Sequence, residues 1–293
     1  MKNSIFINKK IRSYNKTITV SSDKSISIRW VLIASQAIGK SKASNLLISE
    51  DVLSALNCLK KLGIKMNLNK KKQTCEIFGN GINGFNYKKN ITLNANNSGT
   101  LARLICGLLV KAKNKIRIIG DKSLSRRDFS RVIKPLNKFG VNFYPRFKNN
   151  LPLSIKGTDF LRPIRFEEKK GSAQVKSLII FAAMNTPGTT IIRAKKSRDH
   201  TEKFLKYLKT PIKIIKRRNY DIIEINETKS INPINYQIPG DISSAAFFIV
   251  LTVLSENSQL LIKNVLTNPT RTGIIKILKK MGAKIMLKNK RFY

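Results

Sequence analysis

The sequence predicts an α/β (α+β) protein assembled from a repeated supersecondary unit. Two observations carry that prediction. First, four amphipathic segments end alike: Leu59-Lys60-Lys61-Leu62-Gly63-Ile64, Leu136-Asn137-Lys138-Phe139-Gly140-Val141, Leu205-Lys206-Tyr207-Leu208-Lys209-Thr210 and Leu278-Lys279-Lys280-Met281-Gly282-Ala283. Leu62, Phe139, Leu208 and Met281 recur at intervals of 77, 69 and 73 residues, too long for a thin solenoid and right for stacked units sharing a core. Second, each segment follows the same three pieces: a strongly apolar helical stretch, a short β-type run and a polar loop.

In order, the apolar helices are expected at 27–37, 100–111, 174–184 and 243–254. Helices apolar on every side are buried, so these should form the core, with the amphipathic helices covering sheets. The β-type runs that follow lie at 43–48, 115–119, 189–193 and 259–263. Polar loops at Ser49-Glu50-Asp51, Ser125-Arg126-Arg127-Asp128, Ser197-Arg198-Asp199-His200 and Asn268-Pro269-Thr270-Arg271 open the amphipathic helices. Three of those helices meet Gly where a helix stops in the left-handed conformation. Strands should follow at 64–68, 141–144, 212–215 and 283–287, with further strands between units. A strand at 4–11 precedes the first unit and is expected to join the last. Periodicity lapses at 231–237, and Ile238-Pro239-Gly240 reads as a hinge where the chain crosses over.

Apolar content is 42%, enough for a core, and no apolar run approaches the roughly 18 residues of a membrane span. The charged N-terminus has no signal-like apolar stretch, so a soluble cytoplasmic protein with no membrane partner is expected. Cys58, Cys75 and Cys106 form no CxxC pair and, with the single histidine His200, no zinc set, so no metal is expected. Cys58 and Cys106 fall in apolar helical patterns and read as core. The net charge of +41 admits a nucleic-acid partner or compositional drift toward Lys, Asn and Ile. The lysines are spread over every segment without interleaved aromatics, which argues against a nucleic-acid face and leaves attraction of small anions as a by-product.

The apolar helices also begin alike, at Asp23-Lys24-Ser25, Asn97-Ser98-Gly99-Thr100, Ser172-Ala173-Gln174 and Gly240-Asp241-Ile242-Ser243-Ser244. Each alone is an ordinary cap, with Ser22, Asp23 or Ser25 as candidates in the first. Helix N-termini carry unpaired N–H groups and partial positive charge, about 0.3–1 kcal/mol each toward an anion. Converged and reinforced by Lys24 and Arg29, they make an anion trap.

These stretches, in this order, resemble the 5-enolpyruvylshikimate-3-phosphate synthase family, the 3-phosphoshikimate 1-carboxyvinyltransferases. The match includes Asp23-Lys24-Ser25-Ile26-Ser27-Ile28-Arg29, Asn97-Ser98-Gly99-Thr100, Ser172-Ala173-Gln174-Val175-Lys176-Ser177, Ser197-Arg198-Asp199-His200-Thr201-Glu202, Pro239-Gly240-Asp241-Ile242-Ser243-Ser244 and Asn268-Pro269-Thr270-Arg271. The resemblance implies two lobes of βαβαββ units, the first filling 19–237, the second begun by 1–18 and 238–293. It implies transfer of the enolpyruvyl group of phosphoenolpyruvate to the 5-hydroxyl of shikimate 3-phosphate, by addition and elimination, in a monomer without cofactor.

Carried over by position, Lys24 touches both substrates and is the catalytic candidate. Ser25, Arg29, Ser172, Ala173, Gln174, Ser197 and His200 bind shikimate 3-phosphate. Asn97, Gly99, Arg127 and again Gln174 bind phosphoenolpyruvate. The sequence departs from the family at Ser21-Ser22 (usually Pro-Gly), Ile28 (usually His) and Asp128 (usually Pro), none of them contact residues. The family continues with two further units carrying the acid/base carboxylates, so residues 1–293 alone are expected not to turn over. A sister family acting on UDP-N-acetylglucosamine shares the fold; the Lys-Ser-Ile-Ser-x-Arg and Ser-Arg-Asp-His-Thr-Glu stretches favour the shikimate branch.

Overall fold

The structure, a computed structural model, describes residues 12–288; the strand expected at 4–11 lies outside the described residues. Contacts divide the chain into two compact units, one of Lys24–Ile238 and one of the residues up to Asp23 with those from Pro239 onward. The boundaries thus fall at 23/24 and 238/239.

The larger unit carries three four-stranded sheets of one pattern. In the first, β2 (Ile38–Ser44) pairs antiparallel with β4 (Thr74–Asn80), which pairs with β3 (Lys65–Asn69). The fourth strand, β13 (Asn235–Gln237), runs parallel to β2 and comes from the far end of the unit, closing it on itself. The second sheet has β5 (Thr92–Asn94), β6 (Ile116–Ile119), β8 (Leu153–Lys156) and β7 (Asn142–Pro145) in that order. The third has β9 (Arg165–Glu168), β10 (Thr189–Lys195), β12 (Tyr220–Asn226) and β11 (Ile212–Lys216). In each, the first pair is parallel and the other two antiparallel.

The apolar helices are α1 (Lys24–Ala34), α3 (Gly99–Leu108) and α6 (Ala173–Ala183), and all three are core. Every residue of α1 from Ile26 on and of α6 from Val175 on is buried, as all-round apolar sequences require. Helices α3 and α6 approach so closely that a methyl on Gly107 would stand 2.3 Å from the Leu178 carbonyl. The outer helices are α2 (Glu50–Lys61), the short α4 (Lys122–Ser125), α5 (Ser130–Lys138) and α7 (His200–Tyr207). The left-handed stop occurs after all the amphipathic helices: Gly63, Gly140 and Gly282 have φ of 85°, 100° and 93°, and Lys209 takes 54° where Gly is missing.

In the smaller unit, β1 (Asn15–Thr19) runs parallel to β14 (Gln259–Lys263), accompanied by α8 (Ile242–Leu254) and α9 (Gly273–Lys280). Ile242, Ala245 and Ile275 form its core, flanked by Val20, Ile249, Ile262 and Val265. The passages at 21–23 and 239–241 lie side by side, Asp23 N–H donating to the Pro239 carbonyl and Asp241 N–H to that of Ser21, each at 2.8 Å. Arg271 locks them, donating to the fully buried Asp23 at 3.2 Å and to Asp241 at 2.9 Å.

Three expectations are corrected. The run at 43–48 is not the strand; the strand is Ile38–Ser44, because Asn45 turns the chain with φ of 56° and Leu46 drops into the core. The run at 283–287 forms no strand with any of the described residues. Helix α8 is not buried: Phe247 and Leu254 are 79% and 78% exposed, and only Ile242 and Ala245 are buried. Helices α1, α3 and α6 bury one another, whereas among the described residues α8 shares only a small core with Ile275 of α9.

Candidate functional site

All the candidate residues lie in the larger unit, at or near the N-terminal ends of α1, α3, α6 and α7. Lys24 opens α1, and its ammonium lies half-exposed, 3.2 Å from Asp51 at the start of α2. Ser25 and Arg29, one turn apart, meet: Arg29 Nη1 donates to the Ser25 carbonyl at 3.1 Å and to its hydroxyl. The other edge of this buried guanidinium faces inward, Nε to Thr201 Oγ1 at 2.9 Å and Nη2 to Ser177 Oγ at 3.2 Å.

Helix α3 is capped by Ser98, whose hydroxyl accepts from Leu101 N–H, leaving Gly99 as its first residue. Asn97 donates to Asp121 Oδ2, and this bond, with that from Leu124 N–H, holds the Asp121 carboxyl below its usual range. A Cβ on Gly99 would stand 2.6 Å from Arg103 Nη1 and 3.0 Å from Arg127 Nη1, so glycine is what lets two guanidiniums close on the helix end. Arg103 also donates to the Gly99 carbonyl at 3.0 Å and to Gln174 Oε1 at 3.1 Å, and its cation lies over the Phe129 ring. Burial first, then the neighbouring Arg127 and Arg131, lower the Arg103 pKa. Among the described residues, neither Arg103 nor Arg127 makes an ion pair with a carboxylate.

Ser172 caps α6, accepting from Val175 N–H at 3.3 Å, and its own N–H is held by Glu168 at 2.9 Å. Ala173 follows as the first helical residue, with only backbone to offer. Gln174 spans to α3, its Nε2 reaching Thr100 Oγ1 at 3.0 Å while its oxygen takes Arg103. Ser197 stands in the loop before α7, its Oγ buried and met by no hydrogen-bond partner among the described residues. His200 opens α7 and is buried.

The structure therefore joins Ser25 with Arg29 in one cluster and Gly99, Arg127 and Gln174 in another. Gln174 and Ser177, three residues apart on α6, link the two. Lys24 is held by Asp51 and Asn97 by Asp121, and the Asn97 carbonyl also accepts from Gly99 N–H at 2.9 Å. Sequence reasoning missed Arg103, Ser177, Thr201 and Asp51. Arg103 was open to detection as the residue one turn beyond Gly99 on the same helix face.

The fold is one of repeated α/β units, with two guanidiniums gathered at the N-terminus of α3. The chain matches the model of the EPSP synthase (3-phosphoshikimate 1-carboxyvinyltransferase) family over residues 8–292, and it belongs to that family. It is 42% identical over 280 residues to the 3-phosphoshikimate 1-carboxyvinyltransferase of Petrotoga mobilis, covering 94% of this chain and 63% of the relative. It is 39% identical over 283 residues to that of Caldicellulosiruptor saccharolyticus, covering 95% and 64%. An EPSP synthase structure from Acinetobacter baumannii superimposes with a TM-score of 0.88 at 34% identity, covering 96% of this chain and 62% of that one. The chain thus spans just under two thirds of these relatives' length. Among the described residues no helix is long and apolar enough to cross a membrane.

Proposed function

We propose that this chain forms the substrate-gathering part of a cytoplasmic, monomeric enzyme that transfers the enolpyruvyl group of phosphoenolpyruvate to the 5-hydroxyl of shikimate 3-phosphate, releasing phosphate. Its larger unit is the complete first lobe and its smaller unit the beginning of the second. The observation that carries the reading is the pair Arg103 and Arg127 at the α3 N-terminus, two cations brought together with no ion pair to a carboxylate among the described residues. Like charges are gathered in this way where an anion neutralises them. Phosphoenolpyruvate fits there, against Asn97, Gly99, Arg127 and Gln174. Shikimate 3-phosphate fits against Ser25, Arg29, Ser172, Ala173, Gln174, Ser197 and His200, with the buried Ser197 hydroxyl offered to its phosphate. Lys24 reaches both substrates. In the addition step the 5-oxygen bonds to the central carbon of phosphoenolpyruvate while its methylene takes a proton; elimination then expels phosphate as the methyl returns one. Lys24, steadied by Asp51, supports the proton transfer at the 5-oxygen.

A chimera joining this chain to the remaining residues of the Petrotoga relative tests the reading. Phosphate release should require both substrates and vanish in Lys24→Met, while residues 1–293 alone stay at background. A folded chimera that releases no phosphate, or releases it without shikimate 3-phosphate, overturns the proposal.

A further inference from the structure

Within the stretches 172–177 and 197–202, the substrate assignments give no role to Lys176, Thr201 or Glu202. All three are buried, and with Ser177 they join α6 to α7. Lys176 Nζ on α6 lies 2.5 Å from Glu202 Oε1 on α7, both side chains at most 3% exposed. One position further along α6 and one back along α7, Ser177 Oγ and Thr201 Oγ1 are 2.7 Å apart. Arg29 of α1 inserts its Nε and Nη2 into this second bond.

The direction of every bond in this cluster follows from counting hydrogens. Ser177 has one hydroxyl proton and gives it to the Ala173 carbonyl at 2.7 Å. The Ser177···Thr201 bond must then be donated by Thr201. With its own proton committed, Thr201 Oγ1 accepts from Arg29 Nε–H. The bonds all run one way: Arg29 Nε to Thr201, Arg29 Nη2 and Thr201 to Ser177, and Ser177 to the Ala173 carbonyl. They begin on the residue whose other edge holds Ser25 and end on the first peptide of α6. Aligned hydrogen bonds polarise one another, so the cationic start strengthens the whole chain.

We propose that Thr201 and Ser177 are positioning residues for the shikimate 3-phosphate site, fixing Arg29 so that its Nη1 edge stands beside Ser25, and that the Lys176–Glu202 pair sets the α6–α7 spacing this requires. A buried ion pair gives little net stability and is better suited to fixing one arrangement, the use made of it here. The inference rests on the substrate reading above. It assigns the ligand-facing edge of Arg29 to Nη1 and its anchoring edge to Nε and Nη2.

Two readouts on residues 1–293 separate the inference from that reading. The first needs no ligand: ¹⁵N NMR of the arginine Nε–H groups, with Arg29 identified by its loss in Arg29→Lys. Its Nε–H should exchange slowly with water in the unaltered chain and in Thr201→Ser, and fast in Thr201→Val. The second is shikimate 3-phosphate affinity by calorimetry. Thr201→Val and Ser177→Ala should each weaken binding at least tenfold, as loss of a bond in a charge-assisted chain implies, and Thr201→Ser should restore it to within about threefold. Thr201→Val and Arg29→Lys combined should lose less than the two losses multiplied. If the unaltered chain binds no shikimate 3-phosphate, the substrate reading fails and the exchange readout alone decides the network. A fast-exchanging Arg29 Nε–H in the unaltered chain overturns the inference, as does binding kept within twofold in folded Thr201→Val. Should Thr201→Val not fold, Ser177→Ala and the exchange rate in the unaltered chain decide the matter.

Discussion

Gly99 shows how much of the site depends on one missing methyl group. Arg103 Nη1 and Arg127 Nη1 occupy the space a Cβ would need. Both are the far ends of flexible side chains, so Gly99→Ala should fold with little loss of stability. Both guanidiniums must still retreat, and phosphoenolpyruvate affinity in the chimera should fall at least tenfold, about 1.4 kcal/mol. Wild-type affinity in a folded Gly99→Ala would show that the pair does not hold this ligand. The cysteines make a second residue-scale case. Cys58, Cys75 and Cys106 are buried and unpaired, and burial pushes each thiol up to about 12. Native protein should therefore resist a thiol reagent at pH 8, while denatured protein exposes three reactive groups. The sign of the linked stability follows: between an unfolded thiol near 8.5 and the raised folded values, the unfolded state loses protons first. Stability is thus unaffected by these thiols below about pH 8 and falls as pH rises from there toward 12. Flat denaturation midpoints across that window would contradict the burial.

At the scale of elements, the apolar helices were legible because their sequences are apolar on every side, and their N-termini because small polar caps precede them. The stops were legible as glycines, yet Lys209 fills the same left-handed place with no sequence signature of it. Strands β5 and β13, three residues each, are too short to show a period and were not located. Of the candidate site, the residues on the α1, α3 and α6 N-termini were legible because their motifs announce them. Arg103, Ser177 and Thr201 were not, because the contacts they make exist only where two or three helices meet. Close packing of α3 on α6 yields a direct test. Gly107→Ala puts a methyl against the Leu178 backbone at 2.3 Å, where nothing flexible can yield. It should cost about 1–3 kcal/mol, read as a lower denaturation midpoint with an unchanged slope.

For the whole molecule, the two units differ in how far each is closed. The larger unit closes on itself, its final strand β13 completing the sheet that β2 begins and α1, α3 and α6 filling its centre. The smaller unit has one apolar helix of the same kind, and most of it faces water. Amide exchange should be slowest in α1 and α6 and at least a hundredfold faster in α8, a difference of about 2.7 kcal/mol in opening free energy. Equal protection would mean that α8 is covered in solution. Every substrate candidate, Lys24 included, lies in the larger unit. On the proposed reading, this unit is a formed site for a phosphorylated anion. Calorimetric titration of residues 1–293 with shikimate 3-phosphate tests it most directly. Saturable binding is expected at millimolar ligand or below, at least tenfold weaker in Ser197→Ala and absent for unphosphorylated shikimate. No heat of binding at millimolar ligand, or equal affinity for shikimate with and without its phosphate, would contradict it.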